Sequence, residues 1–239
     1  MIPTQATTPL STIKTSMMMD RTATMPLGET ESRTELPDLK ISKPLKIPTG
    51  VSSNTKQHVL LVRDCSSSMS GSKVDEMNLA TTGLIQELAS EKNKDGFLVS
   101  LIDFSTSSKR SAYAVSAIGL TTPRAIASGG TNFDSALLKT IETIESLQNE
   151  PNTDGWRYLR PQVLFLSDGQ SRVSEKNILN LQEIADVTTI AYGSDALEAT
   201  LSKISTDGQC HVIGTSGAEL RKFLADVGQT LSQTLSNAR

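Results

Sequence analysis

The sequence has little of what several specialised classes of protein depend on. Cys65 and Cys210 are the only cysteines in 239 residues, too few for the disulfide framework of a small secreted domain. No basic segment leads into a secretory apolar core at the N-terminus, so a reducing cytoplasm is the expected setting. The two histidines, His58 and His211, stand apart from each other and from any cysteine pair, which reads them as structural rather than zinc-ligating. No apolar run approaches the ~18 residues a membrane helix requires. Positive charge is not in excess: 23 Lys and Arg face 26 Asp and Glu, for a net charge of -3 and a pI near 5.5. A protein that grips a phosphate backbone would carry a clustered basic surface, so nucleic acid is not an expected partner. The Gly-x-Ser-x-Gly elbow, the Gly-x-x-x-x-Gly-Lys phosphate loop and the Gly-x-Gly-x-x-Gly fingerprint are all missing.

What is present is enough apolar material, 37% of residues, for one α/β domain with a tail. Residues 1–50 are rich in Thr, Ser, Pro and Met and show neither helical nor strand periodicity, which predicts a disordered tail. Its threonines, among them Thr15, Thr22, Thr24, Thr30 and Thr34, are candidate phosphorylation sites, although a plain linker is the preferred reading. The stretch 36–48 is a candidate for packing along the domain or docking on a partner. The domain itself is expected over residues 51–239, where short apolar runs alternate with amphipathic segments. Strands are expected at 58–62, 97–104, 112–118, 163–166, 187–192 and 210–213, several of them continuously apolar, as suits strands buried on both faces. Helical spacing appears at Val74, Met77, Ala80, Leu84 and Leu88, at Phe133, Ala136, Leu137, Ile141 and Ile144, and at Leu220, Phe223, Leu224, Val227 and Leu231. Two shorter helices are expected at 174–185 and 195–204, and 149–160, holding Trp156, reads as a turn-rich loop.

Three segments carry chemistry. The run from Asp64 to Gly71, Asp-Cys-Ser-Ser-Ser-Met-Ser-Gly, follows an apolar strand and precedes an amphipathic helix, which puts it at the strand's carboxyl end, where open doubly wound sheets bind ligands. Its alternate residues Asp64, Ser66 and Ser68 can turn a carboxylate and two hydroxyls towards one point, with Cys65 facing away. Gly129-Gly130-Thr131-Asn132 allows a tight loop that projects the Thr131 hydroxyl. Asp168 ends a second apolar strand. These are hard oxygen donors, suited to Mg²⁺, Mn²⁺ or Ca²⁺, and no basic residue adjoins the two carboxylates within the three loops.

In this order and strand context, Asp-x-Ser-x-Ser, Gly-Gly-Thr and Ser-Asp-Gly resemble the metal-ion-dependent adhesion site of von Willebrand factor A domains. The likeness spans roughly residues 57 to 236. It implies a doubly wound α/β fold, a mostly parallel six-stranded sheet between two helical layers with one short antiparallel edge strand, here 112–118. It also implies that Asp64, Ser66, Ser68, Thr131 and Asp168 hold the metal, Mg²⁺ foremost, some of them through water. In texture the chain resembles the bacterial intracellular tellurite-resistance (TerY-like) domains, which implies a kinase or phosphatase as partner.

Taken alone, Asp64 and its serines would read as a capped helix start, a reading that leaves Thr131 and Asp168 unexplained. A phosphotransferase of haloacid-dehalogenase type also begins from a strand-ending Asp with Mg²⁺, but it resembles Asp-x-Asp, and here Ser66 stands in the second position. A structural domain whose metal meets no ligand is a third reading. Two carboxylates and three hydroxyls without a placed acid, base or nucleophile suit binding better than catalysis, so the expectation is a non-enzymatic module. Its metal would take an Asp, a Glu or a phosphate from a protein partner.

Overall fold

The computed structural model describes residues 54–193 and 196–239. The tail expected over residues 1–50, its threonines and the 36–48 stretch lie outside the described residues, as does Asp195.

The elements alternate in the expected order: β1 (Thr55–Asp64), α1 (Ser72–Leu88), β2 (Phe97–Phe104), β3 (Ser108–Ser116), α2 (Phe133–Gln148), β4 (Arg157–Tyr158), β5 (Gln162–Ser167), α3 (Glu175–Ile184), β6 (Asp186–Tyr192), α4 (Glu198–Ile204), β7 (Cys210–Ile213) and α5 (Gly217–Asn237). The strand order is β3-β2-β1-β5-β6-β7. Only the β2–β3 pair is antiparallel; β1 runs parallel to both β2 and β5, and β6 to both its neighbours. The fold class is thus the mostly parallel, helix-flanked sheet that the alternation predicts.

Strand pleating explains the continuous apolar runs. Val59, Leu61, Leu164, Leu166 and Ile190 face one way, onto Met77 and Leu84 of α1 and Leu224 and Leu231 of α5. Leu60, Val62, Val163 and Phe165 face the other, onto Phe133 and Leu137 of α2, Leu181 of α3 and Leu201 of α4. Because successive side chains alternate between faces, a strand covered on both sides buries consecutive positions, which favours apolar runs such as Val59–Val62 and Val163–Leu166. Each long helix starts with a side-chain cap where the sequence offers one: Asn132 accepts from the Ser135 N–H at 3.0 Å, and Ser216 from the Glu219 N–H at 3.4 Å.

Two expectations are corrected. The edge strand begins at Ser108 rather than 112 and stops at Ser116, with Ala117–Gly119 forming a 3-10 turn. Its first residues are polar and partly exposed, so periodicity misses them, yet they pair in register with the end of β2, Lys109 opposite Asp103. The loop over 149–160 also contains a seventh strand, β4, whose two residues pair with Thr55 and Lys56. Trp156, just before it, lies under the Lys56 ammonium, 4.3 Å from the ring centre, at the end of β1 away from Asp64.

His58 is buried within β1, its Nε2 2.8 Å from Ser100 Oγ and its Nδ1 without a hydrogen-bond partner. Burial lowers its pKa from 6.5 to about 4, because the interior disfavours the imidazolium. The unfolded chain therefore binds a proton that the folded chain refuses, and the stability due to neutral His58 is complete above pH 6.5 and is lost as pH falls towards 4. This should amount to roughly 2 to 3 kcal/mol. Urea unfolding of wild type and His58→Gln across that range should show the acid slope flattened in the variant; parallel slopes would refute the assignment.

Candidate metal centre

Beyond β1 the chain turns first one way, through β2 and β3, and later returns to β5 on β1's other side. The carboxyl ends of β1 and β5 therefore diverge at a topological switch point, which opens a crevice between the loops that follow them. Asp64 closes β1 and Asp168 directly follows β5, so both carboxylates arise at this crevice. Both residues are almost wholly buried.

A chain of hydrogen bonds joins the loops. Asp64 Oδ1 accepts from the Ser66 N–H at 2.8 Å, the Ser66 and Ser68 hydroxyls lie 2.9 Å apart, and Ser68 Oγ donates to Asp168 Oδ1 at 2.7 Å. Thr131 arrives from the third loop. A Cβ placed on Gly169 would lie 3.0 Å from Thr131 Oγ1 and 3.4 Å from Asp64 Oδ2, so the bare Gly169 backbone lets the hydroxyl and the carboxylate approach the same point. All five predicted residues are thus gathered at one place. Cys65 turns away into the core, its Sγ 3.5 Å from the Arg63 carbonyl, and burial pushes its thiol up to about 12, leaving it no thiolate for a soft metal.

Two contributors escape sequence reading. Ser167 Oγ donates to Asp64 Oδ2 at 2.5 Å; the residue is one more polar position at a strand end, and only the proximity of β1 and β5 gives it this role. The other is Lys73, whose Nζ lies 2.5 Å from Asp168 Oδ2 although no basic residue stands within the three loops. It belongs to the first turn of α1, outside the three loops, and the signal that could have found it is its place two residues beyond Gly71. The Gly-Gly-Thr loop is also propped from an unexpected side, since Thr106 Oγ1 accepts from the Gly130 N–H at 2.9 Å. Gly129, at φ 82°, leaves no room for a side chain there, because a Cβ would meet that hydroxyl at 2.9 Å. Beneath all of this, Phe104, Phe133 and Phe165 stack with ring centres 5.2 to 6.0 Å apart and hold the ends of β2, α2 and β5 in one frame.

The electrostatics favour a cation. Burial raises the Asp64 carboxyl above its ordinary value, hydrogen bonds from Ser167 and Ser66 partly oppose this, and the charge of Asp168 raises it further. A pair of buried carboxylates with a single lysine beside one of them is under-neutralised. Among the described residues no three His, Cys, Asp or Glu side chains converge at ligand spacing, so a metal here depends on hydroxyls. Three of these, on Ser66, Ser68 and Thr131, accompany the two carboxylates, a donor set that fits a hard divalent ion.

Comparison with known proteins agrees with this architecture. Among curated proteins none matches the chain. Solved structures do: a von Willebrand factor type A protein from Catenulispora acidiphila at 18% identity and TM-score 0.56, over 76% of this chain and 43% of that one; the mussel byssus proximal thread matrix protein 1 with a zinc-occupied MIDAS motif, at 16% and 0.55, over 75% and 48%; and the pilus adhesin SpaC of Lactobacillus rhamnosus GG, at 12% and 0.58, over 76% and 31%. The chain spans less than half the length of each, and at such identities the likeness is one of fold. No helix among the described residues is long and apolar enough to cross a membrane. The family model for the von Willebrand factor type A domain matches residues 58–225, from within the central strand into the last helix and across all three loops at the crevice, and the chain belongs to that family.

Proposed function

We propose that this domain is a metal-dependent protein-binding module, without turnover of its own, that captures an acidic group of a partner. Asp64, Ser66, Ser68, Thr131 and Asp168 would hold the ion, Mg²⁺ foremost with Mn²⁺ or Ca²⁺ as alternatives. When bound, it supplies a positive centre with an open position for an anionic oxygen, an Asp or Glu carboxylate or a phosphate. The observation that carries this reading is the hydrogen-bond chain linking Asp64, Ser66, Ser68 and Asp168, which presents oxygen donors from two strand ends to one crevice. The zinc-occupied motif of the mussel protein supports the metal, and the pilus adhesin supports a binding role. A cytoplasmic setting with a kinase or phosphatase as partner completes the proposal.

The residues divide the work. Ser167 fixes the Asp64 carboxylate, Ser68 fixes that of Asp168, and the neutral hydroxyls complete the donor set without cancelling charge. No histidine reaches the crevice among the described residues, since His58 lies within β1 and His211 rests on Phe223, and Lys73 is engaged with Asp168, which supports binding over catalysis. Chelator-stripped protein should melt at a rising temperature as Mg²⁺ or Mn²⁺ is added, gaining roughly 2.7 kcal/mol at ~100 times the dissociation constant. An unchanged melt across millimolar metal would count decisively against the proposal. Thr131→Ala should weaken Mg²⁺ binding about tenfold while shifting the metal-free melt little, because Thr131 is a half-exposed loop residue outside both core clusters. Mg²⁺-dependent release of phosphate from an aryl phosphate, abolished in Asp64→Asn, would instead establish the phosphotransferase reading.

A further inference from the structure

We infer that Lys73 is a tethered cation of this centre, one that competes with the metal for Asp168 and reinforces the hold on an anionic partner. The inference rests on the metal-binding reading above. Lys73 is the second residue of α1, where the positive end of the helix dipole disfavours a cation; helix propensity and surface solubility give no reason for it there. Helical side chains lean towards the N-terminus, so Lys73 reaches back over the helix start to the ends of the strands. Its ammonium meets a fully buried carboxylate, while the lysine side chain itself is 22% exposed.

The seat is shaped for it. Gly193, directly after β6 and at φ 99°, presents bare backbone to the lysine tip: a Cβ there would lie 3.3 Å from Nζ and 3.4 Å from Cε. The other lysine pairs among the described residues, such as Lys139 with Glu142, involve a partly exposed carboxylate. Asp168 is consequently divided, one oxygen accepting from Ser68 and the other from Lys73. A divalent ion drawing on the Ser68 side would face the ammonium across one carboxylate, in a weakly screened interior. An incoming anion meets the reverse situation. Of the three ammonium N–H donors, one reaches Asp168, and the exposed part of the lysine can offer another to the anion beside the metal.

The two effects have opposite signs, which separates this role from a merely structural one. Isothermal titration with Mn²⁺ should show binding to Lys73→Met tightened about tenfold. Acetate added to the Mn²⁺-loaded protein, followed by water-proton relaxation, should bind at least about threefold more weakly to that variant. Lys73→Gln, shorter and also neutral, should move both constants the same way, and Lys73→Arg, which keeps the charge, should stay near wild type in both. Unchanged or weakened Mn²⁺ affinity in the neutral variants would overturn the inference, as would unchanged acetate affinity. Wild-type protein that takes up no Mn²⁺ at all would refute the metal-binding reading itself, and this inference with it.

Discussion

Asp64→Asn should lower the affinity for Mg²⁺ or Mn²⁺ by at least about a thousandfold while leaving the metal-free protein as stable as wild type or more so. A carboxylate ~4 Å from a divalent ion attracts it by on the order of 8 kcal/mol at an effective dielectric near 20; desolvation offsets part of this, and the neutral amide loses nearly all the rest. The gain in the metal-free state follows from the same burial. Asp64 is fully buried and its carboxyl is raised above 3.8 by desolvation, with the charge of Asp168 adding to the effect. Without metal, its contribution to stability is therefore complete below 3.8 and is lost as pH rises through the folded value. Asn carries no charge to bury. Isothermal titration and thermal melts of stripped protein at neutral pH test both halves. An Asn variant that binds metal like wild type would remove Asp64 from the centre, and one that melts well below the stripped wild type would show that its carboxylate is structural.

Arg63→Ala should destabilise the domain by about 3 to 5 kcal/mol, although Arg63 lies next to Asp64 in sequence and makes no contact with the crevice donors. Its side chain has no exposed surface and Asp103 is 6% exposed, with an N–O separation of 2.7 Å. The guanidinium also donates to the Pro123 carbonyl at 3.2 Å, and Ser111 donates to the other oxygen of Asp103. Removing the arginine strands a buried carboxylate, which costs more than the pair itself contributes. Arg63→Met combined with Asp103→Leu should recover most of the loss, because it removes both charges and leaves apolar volume. Urea unfolding of wild type, Arg63→Ala and the double variant measures it. A single-variant loss below about 1 kcal/mol, or no recovery in the double variant, would show that the pair is solvated and structurally minor.

Metal selectivity and partner choice follow different residues in this picture. In the proposed function, the hard oxygen donors Asp64, Asp168 and the three hydroxyls would favour Mg²⁺, Mn²⁺ and Ca²⁺ over soft ions, with Cys65 facing the core. On the same proposal, the choice of acidic partner would depend on the surface around the crevice.

The sequence by itself determined the features that repeat with a local period or sit at a fixed spacing. Short apolar runs within β1, β2 and β5 marked doubly covered strands, three- and four-residue steps marked α1, α2 and α5, and the alternation of the two dictated the fold class. Asp64, Ser66 and Ser68 could be read together from their spacing at a strand's end, although Ser67–Met69 forms a 3-10 turn rather than an extended segment, and Thr131 and Asp168 because each sits at a loop that a strand or helix boundary announces. Tertiary structure alone decided what depends on residues distant along the chain. Ser167 reaches Asp64 only because β5 lies beside β1, Lys73 reaches Asp168 only because the fold brings the first turn of α1 to the loop after β5, and Thr106 supports Gly130 only because the β2–β3 turn meets the α2 loop. The start of β3 and the two-residue β4 were hidden for the same reason: polar, half-exposed edge residues carry no period, and their backbone hydrogen bonds exist only once the neighbouring strand is in place. Lys73 was the costliest to miss, since a lysine in a helix's first turn looks like an ordinary surface residue until the fold sets a buried carboxylate in front of it.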